Sequence, residues 1–64
     1  MSVRIIFRNK IYEVEPGMAL GAALEILGVE AEAVLAVRGG EMISAECILK
    51  EGDEVRLVGV IGGG

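Results

Sequence analysis

The chain has 64 residues, 53% of them hydrophobic, with one Phe, one Tyr and no Trp, so it makes one small domain with an aliphatic core. A fold of this size buries only about 60% of its unfolded surface. A single cysteine and the absence of histidine exclude an internal disulfide and the common zinc sites as staples. A net charge of −4 argues against nucleic-acid binding, which needs clustered Lys and Arg, and favours a partner with a basic docking surface.

Val3, Ile5 and Phe7 alternate with Arg4, Ile6 and Arg8, the period of a half-buried strand. Asn9-Lys10 is read as a turn, and Ile11–Glu15 resumes the alternation as the second arm of a hairpin, which Pro16-Gly17 ends. From Met18 to Leu27 the period changes. Leu20, Ala23, Leu24 and Leu27 share one helical face, and Gly28 stands where a left-handed cap belongs. No Ser, Thr, Asp or Asn precedes this helix, so a capping bond worth about 1 kcal/mol is missing. Gly21 inside it costs about 1 kcal/mol relative to Ala.

Val29–Glu32 is a connector. Ala33–Arg38 is apolar almost throughout, the pattern of a central strand. Gly39-Gly40 turns the chain into a short return strand, Glu41–Ile43. Ser44–Leu49 is irregular, with Ile48 and Leu49 expected to plug the core. Glu51-Gly52-Asp53 is a turn, and residues 54–60 form the last strand, with Val55 and Leu57 inward and Arg56, Val58 and Val60 outward. One helix cannot cover two sheet faces. The expected fold is α+β, a mixed sheet of four to five strands wrapped around one helix, with the first and last strands parallel neighbours.

The sequence closes on Gly62, Gly63 and Gly64. A glycine run usually turns the chain between two elements. Here it is read as a tail without side chains, able to thread a slot too narrow for any Cβ. The expected division is a folded domain over residues 1–60 and a flexible tail over 61–64.

The hairpin Val3–Glu15, the Pro16-Gly17 turn into Leu20–Gly28, the strand and turn Leu35–Glu41, and the close from Lys50-Glu51-Gly52-Asp53 through the last strand to the glycines carry a resemblance. The whole chain resembles the ubiquitin-like β-grasp fold, and within it the ThiS/MoaD family of sulfur-carrier proteins. The chain departs from the family pattern in ending on three glycines where two are usual. It also has Met18 and Ala19 where a Thr is common, and Gly39 where an Asn is frequent.

The resemblance implies a chemistry. An ATP-dependent, ThiF/MoeB-like activating enzyme adenylates the terminal glycine, here Gly64. A sulfur donor then displaces AMP to leave a thiocarboxylate, which a sulfur-accepting synthase consumes. The carrier is a co-substrate and not an enzyme. It holds no cofactor or metal, ATP being used by the partner. Gly62 and Gly63 are the threading residues, and Val60 to Gly64 reach about 17 Å when extended. The compact length is closest to carriers of thiamin thiazole synthesis, with molybdopterin synthesis and tRNA thiolation as other destinations.

Ile6, Val58 and Val60 are expected to form an outward apolar patch for docking, edged by Arg4 and Arg56. A cytoplasmic protein, monomeric when free, fits the lone cysteine and the lack of an apolar run of membrane length. Cys47 has no histidine to act as its base and is read as a packing residue. Glu13, Glu15, Glu30 and Glu32 are read as solvated. Lys10 and Lys50 are the only lysines and are read as surface residues. Two other readings use the same tail: a ubiquitin-like modifier joined to target lysines through Gly64, and a non-covalent β-grasp interaction module.

Overall fold

The computed structural model describes residues 2–59. Five strands and one helix follow in the order β1 (Val3–Phe7), β2 (Lys10–Val14), α1 (Leu20–Leu27), β3 (Val34–Arg38), β4 (Glu41–Ile43) and β5 (Glu54–Gly59), with a 3-10 turn at Ala31–Ala33. The strands form one mixed sheet in the order β2-β1-β5-β3-β4. β1 and β5 run parallel, and the other neighbours are antiparallel. α1 covers one face. Inward residues alternate along each strand as a half-buried sheet requires. Val3, Ile5, Val55 and Leu57 meet Leu20, Ala23 and Leu24 of the helix and Leu49 from a loop, all buried.

Several boundaries differ from the sequence reading. The hairpin turn is Arg8-Asn9, and Lys10 pairs with Phe7 at the start of β2. Arg8 sits at φ 59°, in the left-handed region. Glycine is the usual residue there in two-residue hairpins, and any other costs about 1–2 kcal/mol. β3 starts at Val34, because Ala33 completes the 3-10 turn. β3 is an interior strand, flanked by β5 and β4, but it is not buried on both faces: Leu35 is 40% exposed, since among the described residues no second layer covers the outer face. Of the two expected core plugs, Leu49 is fully buried but Ile48 is 48% exposed.

The missing helix cap has a structural explanation. α1 begins at Leu20, with Ala19 at the N-cap making no side-chain bond. A strap over residues 44–50 supplies carbonyls instead. The Leu20 N–H donates to Cys47 O and the Gly21 N–H to Ala45 O, each at 2.8 Å. Leu49 N–H donates to Met18 O at 2.8 Å, and Gly17 N–H to Leu49 O at 2.7 Å. Backbone thus satisfies donors that a Ser or Asp side chain would otherwise take. The same approach explains Gly21. A Cβ there would stand 3.2 Å from Ala45 Cβ and 3.4 Å from its carbonyl oxygen. At the other end, Gly28 adopts φ 76° and its N–H reaches Glu25 O, while Val29 N–H reaches Leu24 O.

Asp53 ties the strap to the sheet. Its Oδ2 accepts from Lys50 N–H at 2.8 Å and from Arg38 Nη1 at 2.9 Å, and the same Arg38 nitrogen donates to Ile48 O at 3.3 Å. The Lys50 N–H foremost, and then Arg38, hold the Asp53 carboxyl below its ordinary range. A carboxyl whose pKa is depressed by folding stabilises the fold above its unfolded pKa, and loses that contribution as pH falls through the folded value. Asp53→Asn is therefore expected to lower the urea midpoint at pH 7, with the gap to the parent closing below about pH 4. Parallel denaturation series at pH 7 and pH 3 check this. An equal gap at both pH values would assign the loss to shape and not to charge.

Candidate functional site: the outer sheet face and the root of the tail

The uncovered face of the sheet carries the residues of opposite parity to the core. Register places them in rows. Ile11 of β2 stands opposite Ile6 of β1, Ile6 opposite Arg56 of β5, Arg56 opposite Val37 of β3, and Val37 opposite Met42 of β4. One row therefore crosses all five strands, apolar except for Arg56 at its centre. The next row toward the end of β5 pairs Val58 with Leu35. The row on the other side is charged, with Arg4 in register between Glu13 and Glu54.

Ile6, Arg56 and Val58 are thus brought onto one face, as neighbours on β1 and β5. Ile6 is half-buried, Arg56 is exposed and Val58 is 46% exposed. Arg4 lies on the same face one row away. Val60, Gly62, Gly63 and Gly64 lie outside the described residues. The sequence reading missed four members of the face: Ile11, Leu35, Val37 and Met42. Met42 and Ile11 are two of the most exposed large apolar side chains among the described residues. Parity along each strand already marked Ile11 as outward, but only the strand order shows that β3 and β4 extend the patch. An apolar face of this breadth, rimmed by charge, is the kind of surface that marks a protein partner.

The root of the tail is held firmly. Gly59 is the last residue of β5 and pairs with Val34, so the central strand is bonded to β3 up to its final described residue. Val58 and Leu35 sit at this same end, which makes the apolar face continuous with the last described residue of β5.

Around that end lies an open cleft of about 660 Å³ between the turn after β1 and the segment that follows α1. Phe7, Val29, Val34 and Leu57 are among its apolar lining residues, and Arg8, Glu30 and Arg56 are its charged ones, Arg56 from the outer-face row of β5. The Arg8 guanidinium carbon lies 5.0 Å from the centre of the Phe7 ring. Cys47 is partly buried, with its thiol 3.8 Å from Ile48 O, and lies in the strap away from this end. Among the described residues no helix is long and apolar enough to cross a membrane.

No family model matches the chain. It is 35% identical over 65 residues to the sulfur carrier protein TtuB of Thermus thermophilus, an alignment covering 97% of this chain and 100% of that protein. Among solved structures, SAMP1 from Haloferax volcanii superposes with a TM-score of 0.68 over 100% of both chains. At 18% identity that likeness is one of fold, and it makes the sheet and helix a ubiquitin-like β-grasp. Similarity to a sulfur carrier over 97% of this chain, on a β-grasp fold in a sequence that closes on three glycines, places this chain in the ThiS/MoaD-like family of sulfur-carrier proteins.

Proposed function

We propose that the chain carries sulfur as a thiocarboxylate on Gly64. The single observation that carries the reading is the full-length similarity to a sulfur carrier, joined to a glycine tail rooted in the central strand. A carboxylate is ionised at neutral pH and is a poor electrophile. In the proposed cycle the Gly64 carboxylate oxygen attacks the α-phosphorus of ATP on a ThiF/MoeB-like enzyme, and pyrophosphate leaves. A sulfur donor then attacks the acyl carbon and AMP leaves. The carrier contributes no acid, base or metal. It offers an unhindered acyl group on a thread of Gly62 and Gly63, and a surface to hold the partner. In this role it is a co-substrate, and ATP belongs to the partner's site.

The deciding experiment is intact-protein mass spectrometry of the chain isolated from its own host, with the C-terminal peptide sequenced. The expected result is an oxygen-for-sulfur mass gain on the last glycine, reproduced in vitro with ATP, sulfide and the host's activating enzyme. An unmodified terminus in both settings overturns the reading. Conjugates to lysines that vanish when Gly64 is removed would establish the modifier reading instead. The acceptor is identified by supplying the loaded protein to thiazole synthase first, which chain length favours, then to molybdopterin synthase and to tRNA thiolation enzymes.

Docking through the outer face makes a separate prediction. Val58→Lys puts a cation into the apolar row beside the tail root. Affinity for the activating enzyme, measured by calorimetry, is expected to fall about tenfold or more, the scale of a disrupted contact at an interface centre. The unfolding midpoint should move little, because surface substitutions usually stay within about 0.5 kcal/mol. Unchanged affinity would remove this face from the docking surface.

A further inference from the structure

The geometry points to a second docking element: the cleft at the tail end of the sheet, headed by Arg8, takes an acidic and apolar segment of the partner that draws in the tail. This inference rests on the carrier reading for the identity of the partner, but not for the chemistry of the cleft.

Three observations converge on it. The first is charge. The chain is acidic overall, with 10 carboxylate residues against 6 cationic ones. The cleft reverses that balance, since Arg8 and Arg56 both line it against Glu30 alone. Among the described residues Asp53 is paired with Arg38, whereas Arg8 has the face of the Phe7 ring as its contact. An arginine stacked on an aromatic ring keeps its in-plane N–H groups free for a carboxylate.

The second is backbone conformation. Arg8 occupies the first central position of a two-residue hairpin turn with φ 59°, and it is the one residue other than glycine with positive φ among those described. Glycine suits that position better on conformational grounds. A bulky cation kept in an unfavourable conformation is what a binding role leaves behind, because local strain persists where the side chain is needed.

The third is position. Gly59, Val58 and Leu57 line the cleft, so it begins where β5 ends and continues the outer face around the end of the sheet. A partner that takes the tail must pass this end, where its apolar side chains would meet Phe7, Val29 and Val34 and its carboxylates would meet Arg8, with Arg56 at the rim on the outer face.

The test separates strain from binding. Arg8→Gly is expected to hold or raise the unfolding midpoint, because it relieves the turn. In a ¹⁵N NMR titration, a blocked pentapeptide of alternating glutamate and leucine is expected to shift the amides of Phe7, Arg8, Val29 and Val34. The dissociation constant should rise about tenfold in Arg8→Gly and in Arg56→Gln. The glutamine version of the peptide should leave the amides in place. Absence of shifts, or equal binding by parent and both variants, overturns the cleft proposal. A second arm uses the host's activating enzyme and pyrophosphate exchange. Arg8→Gly should raise KM for the carrier with kcat preserved. Parent-level KM in the variant overturns the cleft while leaving the carrier reading intact. No exchange with the parent protein overturns the carrier reading, and the peptide titration then decides the cleft by itself.

Discussion

Removing Gly63 and Gly64 is expected to abolish sulfur loading completely while leaving the unfolding midpoint where it was. The two halves of this result have separate causes. On the proposed cycle loading fails because the acyl group would sit on Gly62, about two residues or 7 Å short of the reach that Gly64 would give. A misplacement of even 1 Å can cost a reaction about a hundredfold, so a shortfall of this size leaves no measurable turnover. The midpoint is expected to hold because the buried core of the described residues lies within residues 3–57 and β5 is already paired with β3 at Gly59, ahead of the deleted glycines. Thiocarboxylate yield by mass spectrometry and urea denaturation on the same sample check both halves. Removing Gly64 alone asks which glycine is the working end. Full loading of that shorter chain would assign the chemistry to Gly63. Full loading after both are gone would end the carrier hypothesis.

Leu49→Ala is expected to cost about 2–5 kcal/mol of stability, the scale of a truncated, fully buried leucine. Leu49 is fully buried although it belongs to no helix or strand. Its side chain fills the core under α1, while its N–H and carbonyl both bond to the segment that leads into the helix. Truncation leaves a cavity where two irregular segments are held against each other. A domain of 64 residues has roughly 3–10 kcal/mol in total, so this one change removes a large share of it. A loss below about 1 kcal/mol in urea would mean that the strap collapses to fill the space. The exposed neighbour Ile48 provides the contrast, since Ile48→Ala should cost well under half as much.

That contrast also marks the limit of what the sequence reveals. Strand and helix periods in Val3–Phe7, Leu20–Leu27 and Glu54–Gly59 were legible because each packs one face against one layer. Ile48 and Leu49 look alike in sequence, and no period distinguishes them in an irregular segment. Hydrogen bonds to Met18 and Gly17 decide which of the two turns inward. β3 is interior as its apolar run suggested, but that run also suggested burial on both faces, whereas Leu35 and Val37 face outward on the proposed partner surface. Function and core both select for apolar residues, so hydropathy alone cannot separate them. The uncapped start of α1 was read correctly as lacking a side-chain cap, but the strap that replaces it was invisible because the donors are met by backbone. Arg8 was hidden by a shift of one residue in the hairpin turn. Placing the turn at Asn9-Lys10 leaves Arg8 as an ordinary strand residue, and only the φ angle shows otherwise.

The place of β5 in the sheet has a consequence for how the protein is made. β1–β2 and β3–β4 are local hairpins that can form early, since their partners are close in sequence. β5 is the last of the described strands to leave the ribosome, and it must enter between β1 and β3, which have no pairing with each other. Until it arrives, the nascent chain shows two unpaired edges facing an empty slot. The strand that closes the slot is the one that continues into the glycines. Synthesis therefore couples completion of the fold to delivery of the proposed thiocarboxylate end, and a chain stalled or clipped before residue 54 would have neither a closed sheet nor the glycines on which the proposal rests.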